Sequence, residues 1–163
     1  MRTKKIILIF AVVLFSIAIF ANAAEFEKGG KYLTPQIGIN TYAIPVGVSF
    51  GYGVSDNIEV AGSVLYISWG EGTFNYSVIA PALEGFYHFT SIDVDKLDVF
   101  AGLSLGYLIF TGDLGSFSSG LSISPFVGSR YYFSKNTAVS LKLYFSTGSL
   151  GGVGGVAGVT LRL

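Results

Sequence analysis

The stretch VGVSFGYGV, Val46 to Val54, decides the fold. Every second residue is large and apolar: Val46, Val48, Phe50, Tyr52 and Val54. Between them stand Gly47, Ser49, Gly51 and Gly53. A period of two is a strand with two different faces. In a soluble sheet the face turned away from the core carries Lys, Glu, Asp and Arg. A face of Gly and Ser gives water little to solvate. It fits the narrow interior of an eight-strand barrel, where inward side chains must just fill the lumen. The apolar face then points outward, into lipid.

The same alternation runs through RYYFSKNTAVSLKLYF, Arg130 to Phe145. After the turn Ser134-Lys135-Asn136, the residues Val139, Leu141, Leu143 and Phe145 alternate with Ser140, Lys142 and Tyr144. Taken alone, this hairpin suits a packed core as well as a bilayer. The Gly and Ser faces elsewhere select the bilayer. Turn residues that satisfy or relax the backbone locally recur along the chain. They divide it into Lys31–Asn40, Val46–Val54, Asn57–Trp69, Phe74–Thr90, Leu97–Thr111, Gly120–Phe133, Thr137–Thr147 and Val153–Leu163. Strands three and four are the least regular, because Leu65, Ile67 and Ala82 fall on the polar side. No segment beyond residue 23 combines helical periodicity with caps. The expectation is one all-β domain.

The first residues read differently. Arg2, Lys4 and Lys5 precede an apolar run from Ile6 to Phe20, and Ala21-Asn22-Ala23 is an A-x-A site. That is a cleavable signal peptide, 1–23, rather than a retained anchor, since the run is short for a spanning helix of ~20 residues. Cleavage after Ala23 leaves residues 24–163 with seven basic and ten acidic side chains. Such a chain has no basic excess for nucleic acid. Cys is absent, which removes disulfides, thiol nucleophiles and thiolate metal sites. Charged residues make up only 12% of the chain, about half the usual share of ~25%. Much of the surface is therefore expected to face something other than water.

With both termini on the periplasmic side, one rim collects Tyr32, Tyr52, Tyr87, Phe89, Tyr131 and Phe133. The other collects Tyr42, Trp69, Phe74 and Phe145, giving two interfacial belts. Glu59, Glu84, Asp98, Arg130, Lys142 and Arg162 fall on the inward face and form the expected lumen charge network. Glu84 with Lys142 or Arg130 is the expected pair, because buried charges persist when paired. Eight strands leave little open lumen, so side chains are expected to plug it.

Catalytic signals are weak. The single His, His88, lies four residues from Glu84 on the same face but has no evident nucleophile beside it. GGVGGVAG, Gly151–Gly158, lacks the Lys-Ser/Thr of a phosphate loop. DVDK, Asp93–Lys96, is too short for a Ca²⁺ loop. No cofactor, metal or enzymatic activity is expected.

ISPFVGSRYYFSKNTAVSLKLYF, Ile123–Phe145, resembles the penultimate hairpin of the small outer-membrane β-barrels of OmpA, OmpX and opacity-porin type, and GVAGVTLRL resembles their closing strand. The resemblance implies an eight-stranded antiparallel up-and-down transmembrane β-barrel in the outer membrane of a Gram-negative-type envelope. It also implies outer-membrane lipid and the outer-membrane assembly machinery as partners of a monomer. Such barrels commonly end in an aromatic residue that this machinery reads, and here the last residue is Leu163. A surface or structural role with a plugged lumen is the expectation. A porin-like narrow pore for ions or small solutes is the first alternative, and a soluble periplasmic lipocalin-like binder the second.

Overall fold

The computed structural model describes residues 26–41, 43–71, 74–90, 94–112, 120–147 and 151–163, without the side chains at 69–71, 74–76 and 112. The signal peptide, Tyr42, Asp93 and the side chains of Trp69 and Phe74 lie outside the described residues.

Eight strands follow one another: β1 (Lys31–Asn40), β2 (Val46–Gly53), β3 (Ile58–Glu71), β4 (Phe74–His88), β5 (Leu97–Gly112), β6 (Gly120–Ser134), β7 (Thr137–Ser146) and β8 (Gly152–Arg162). They match the expected strands in number and order, with ends that differ by at most two residues. Each pairs antiparallel with its neighbour in sequence, and β8 pairs with β1 to close the barrel. Closure gives backbone donors and acceptors a partner on both sides of each strand. Hydrocarbon requires this, because it cannot solvate a sheet edge.

Two prolines interrupt the ladder without breaking the barrel. The β1–β8 pairing skips Thr34 and Pro35, and the β4–β5 pairing skips Ala80 and Pro81. A ring nitrogen has no hydrogen to donate. A bulge between Tyr132 and Ser134 shifts the β6–β7 register beside the tight turn that ends the hairpin.

Alternation places the apolar residues outside. Val46, Val48, Phe50, Tyr52 and Val54 of the deciding stretch are all exposed, as are Val139, Leu141, Leu143 and Phe145. Leu83, at 71% exposure, shows how fully the band is presented. Ser49, Gly51 and Gly53 are buried inside. This is the reverse of a lipocalin-like binder, whose interior is apolar.

One rim assignment is corrected. Tyr52, Tyr87, Phe89 and Tyr131 are exposed around the end that carries both termini, but Tyr32 is 1% exposed and lies inside the barrel. Leu33 is on the outward phase of β1, so its neighbour Tyr32 must point inward. Near the opposite, loop end, Tyr66 and Tyr107 join Phe145 on the outside. Beyond them the outward face turns polar: the Tyr66 hydroxyl lies 2.9 Å from Ser77 Oγ, and Ser77 Oγ lies 3.5 Å from Ser68 Oγ. Strands tilted by ~40° with ~10 residues between these boundaries give an apolar band roughly 25 Å tall.

Candidate functional site

The lumen is packed in layers, and each begins with inward residues that the strand period dictates. At the termini end, the Arg130 guanidinium of β6 forks onto the Glu59 carboxylate of β3, with Nη1 donating to Oε2 at 2.6 Å and Nη2 to Oε1 at 3.0 Å. These strands are not neighbours in the sheet, so the pair spans the lumen. His88 closes β4 and sets Nδ1 2.7 Å from Asp98 Oδ1 on β5. Its Nε2 lies 3.3 Å from Glu59 Oε2 without hydrogen-bond alignment. Arg130 Nε, Asp98 Oδ2 and the Tyr132 hydroxyl are buried with no hydrogen-bond partner among the described residues.

The chain preceding β1 caps this layer. The Phe26 ring stacks on the His88 ring with centroids 3.7 Å apart and planes 4° from parallel. Two backbone bonds tie the segment to β2, Gly29 N to Gly53 O at 2.8 Å and Gly53 N to Gly30 O at 2.9 Å. The Tyr32 hydroxyl receives the Glu27 amide at 2.9 Å. Gly29 adopts φ +80°, a conformation that side chains disfavour.

Phe86, Phe100 and Phe126 form the next layer with Ala61. Phe86 meets Phe126 at 4.8 Å and Phe100 at 5.3 Å, in tilted and edge-on arrangements. Arg130 lies 5.3 Å from the centroid of Phe100, and Lys142 lies 5.0 Å from that of Phe126. The aromatic layer thus separates two charge pairs and contacts a cation from each.

The second pair lies above it. Lys142 Nζ donates to Glu84 Oε1 at 2.8 Å and to Oε2 at 2.9 Å, while Ser63 donates to Oε1 at 3.0 Å. Above this pair is a cavity of about 90 Å³, open toward the loop end. Ile67, Val78 and Leu108 pack on one side of the loop-end lumen. Ile67, with Leu65 and Ala82 in the cavity lining, accounts for the irregular polar face of strands three and four.

Glycines on the inward face make this filling fit. A Cβ at Gly51 would lie 2.8 Å from Glu59 Cδ, and one at Gly154 would lie 2.5 Å from the Tyr144 ring. At Gly128 the obstacles are the Leu141 carbonyl oxygen and the Phe100 ring, the latter at 2.6 Å. Small residues thus stand opposite large ones, as a narrow barrel requires.

Of the six expected network residues, Glu59, Glu84, Asp98, Arg130 and Lys142 point into the lumen. Arg162 does not join them; it sits at the mouth and pairs with the exposed Glu27. The His88–Glu84 contact considered from sequence is not made, because His88 turns to Asp98 and Glu59. His88 with Asp98 resembles half of an acid–base relay, but the other ring nitrogen faces a carboxylate instead of a hydroxyl. Among the described residues no group of three His, Cys, Asp or Glu is arranged to hold a metal. Sequence reasoning missed the Phe26 cap entirely. Its one signal was an aromatic residue in an otherwise polar stretch before β1.

No protein-family model and no curated protein matches the chain. Solved structures do. The N-terminal β-barrel domain of OprF from Pseudomonas aeruginosa superposes with a TM-score of 0.66 at 21% identity, over 85% of this chain and all of that domain. The fold is that of the small outer-membrane barrels. Neisserial surface protein A matches at a TM-score of 0.59 and 12% identity, covering 82% of this chain and 95% of that one. The outer membrane protein Ail of Yersinia pestis, in a phospholipid bilayer nanodisc, gives 0.56 and 11% over 83% of this chain and 100% of its own. At such identities the shared property is the inward and outward patterning of a closed sheet, not individual residues.

Proposed function

We propose that the chain is an integral outer-membrane β-barrel with a structural, surface-located role, a plugged lumen and no catalytic activity. The observation that carries this reading is the band of exposed aliphatic side chains around a closed sheet, with Glu59, Glu84, Asp98, Arg130 and Lys142 turned inside. In water such a surface would aggregate, whereas in a bilayer it is the required solvent contact. Removal of residues 1–23 leaves a barrel domain, 24–163, with its termini toward the periplasm. Its partners are outer-membrane lipid and, during biogenesis, the assembly machinery, and it works as a monomer.

The plug reading is supported by three filled layers between the mouths. His88 is enclosed by Phe26, Asp98 and Glu59, and among the described residues no hydroxyl is hydrogen-bonded to its ring, which supports a non-catalytic lumen.

A gel of detergent-solubilised protein tests the barrel: the folded form is expected to migrate differently boiled and unboiled. Release of the protein from cells without detergent would refute the membrane reading. The cavity above Lys142 and Glu84 is the feature that favours the alternative, a narrow pore. Planar-bilayer recordings separate the two. The plug predicts no steady conductance, and a steady current altered by Lys142→Gln or Glu84→Gln would establish the pore instead.

A further inference from the structure

The loop-end half of the lumen has a chemical asymmetry that a mere filler does not need. One wall of the cavity is apolar, formed by Leu65, Ile67, Ala80 and Leu108. Next to it, on β5, β6 and β7, stand four hydroxyls, Ser104, Ser122, Ser124 and Ser146, with Phe126 and Val156 also in the lining. Ser122 Oγ lies 2.8 Å from Ser146 Oγ and 3.5 Å from Ser124 Oγ, and Ser146 donates to the Thr147 carbonyl at 3.4 Å. Each hydroxyl can donate once and accept twice, so this hydroxyl chain uses the donors of Ser122, Ser124 and Ser146 and keeps acceptor capacity, while among the described residues the Ser104 hydroxyl stands outside it. Tyr144 adds an aromatic face.

The floor decides the charge of an occupant. Lys142 places its ammonium on both oxygens of Glu84, so the floor is internally neutralised. Of the three ammonium donors of Lys142, two are used and one remains. An ion entering here would lose its hydration without gaining a free opposite charge. An uncharged group that both donates and accepts would lose little. The cavity of about 90 Å³ holds roughly six to nine waters at ~10–15 Å³ each. That is the space of a polyol with three to five carbons, its C–H edge against Ile67 and Leu108.

We propose that this half of the lumen is a blind pocket, entered from the loop end, for a small uncharged polyol. Its blindness rests on the plugged lumen proposed above. Asn40, Thr41, Gly152 and Val153 lie at the open mouth. Below the floor, Thr34 and Thr160 bond to each other at 2.9 Å beyond the reach of a solute from this side.

The chain contains no Cys, so a single introduced thiol is the only reactive one. Ser104→Cys, and Ser124→Cys as a second position, are made in the full chain. Each is folded into lipid nanodiscs, and folding is checked by the boiled and unboiled gel shift. Reaction with methyl methanethiosulfonate is then timed with erythritol or with sucrose at equal osmolality. Both thiols are expected to react, and erythritol is expected to slow them by about twofold when its concentration equals Kd. Sucrose, too large to enter, leaves the rate unchanged. Unreactive thiols at both positions, or erythritol acting no more than sucrose, would overturn the proposal and leave a cavity for water only. Planar-bilayer recording of the same variants separates the two readings: with no steady conductance the pocket is blind, and a steady current with erythritol protection retained means that the plug reading fails while the pocket stands as a station on a through-path.

Discussion

Replacing Gly51 with Ala tests whether the inward glycines exist to make room. The added methyl would lie 2.8 Å from Glu59 Cδ and closer still to Oε1, and every close neighbour belongs to that one side chain. Reaching the 3.4 Å of ordinary contact requires Cδ to move by about 0.6 Å and Oε1, the nearest atom, by about 1.4 Å. Glu59 is 1% exposed and bound by both terminal nitrogens of Arg130, so any movement stretches that fork. Overpacking of this kind costs ~1–3 kcal/mol, and full loss of one partner of a buried pair costs ~3–5 kcal/mol. Gly51→Ala is therefore expected to destabilise by about 2–3 kcal/mol. The assay is urea unfolding in phospholipid vesicles, followed through the single tryptophan and by gel mobility.

Two comparisons make this result specific. Gly62 faces outward with nothing within 4 Å of an added Cβ, so Gly62→Ala is expected to change stability by less than ~0.5 kcal/mol. In a Glu59→Ala background the obstacle is gone, and Gly51→Ala is expected to cost almost nothing further. A neutral Gly51→Ala, or an equal cost with and without the Glu59 side chain, would refute the reasoning.

Other perturbations probe the remaining layers. Lys142→Ala leaves Glu84 buried with only Ser63 as a partner and is expected to destabilise by ~3–5 kcal/mol, whereas Lys142→Met with Glu84→Leu removes both charges and is expected to cost less than the single change. Equal or larger loss in the double variant would contradict that account. Leu105→Arg places a cation in the middle of the lipid band and is expected to cost ~2–4 kcal/mol, against ~0–1 kcal/mol for Thr111→Arg near the polar boundary, in the same unfolding assay. Gly29→Ala forces a side chain into a left-handed conformation at φ +80° and is expected to weaken the cap by ~1–2 kcal/mol. Hydrogen exchange at the Gly29 and Gly53 amides should speed up in that variant while the central ladder is unchanged.

The sequence by itself determined the local layer of this protein. Strand ends fell within two residues because Gly, Ser, Asp and Asn mark turns through their own backbone chemistry. The inward assignment of Glu59, Glu84, Asp98, Arg130 and Lys142 followed from a period of two, which needs no knowledge of neighbouring strands. The Tyr32 rim assignment failed through neglect of that same period, which already placed Leu33 outside. Tertiary structure alone decided which inward residues meet. Arg130 reaches Glu59 across 71 residues of sequence and between strands that are not neighbours in the sheet. Lys142 likewise reaches Glu84 across 58. Such contacts depend on barrel diameter and on the stagger of eight strands, quantities set by closure rather than by any one strand. The role of Gly51 as space for Glu59, and the seating of Phe26 on His88, have the same origin. Alternation tells each side chain which way to face, and only the closed barrel determines what it meets there.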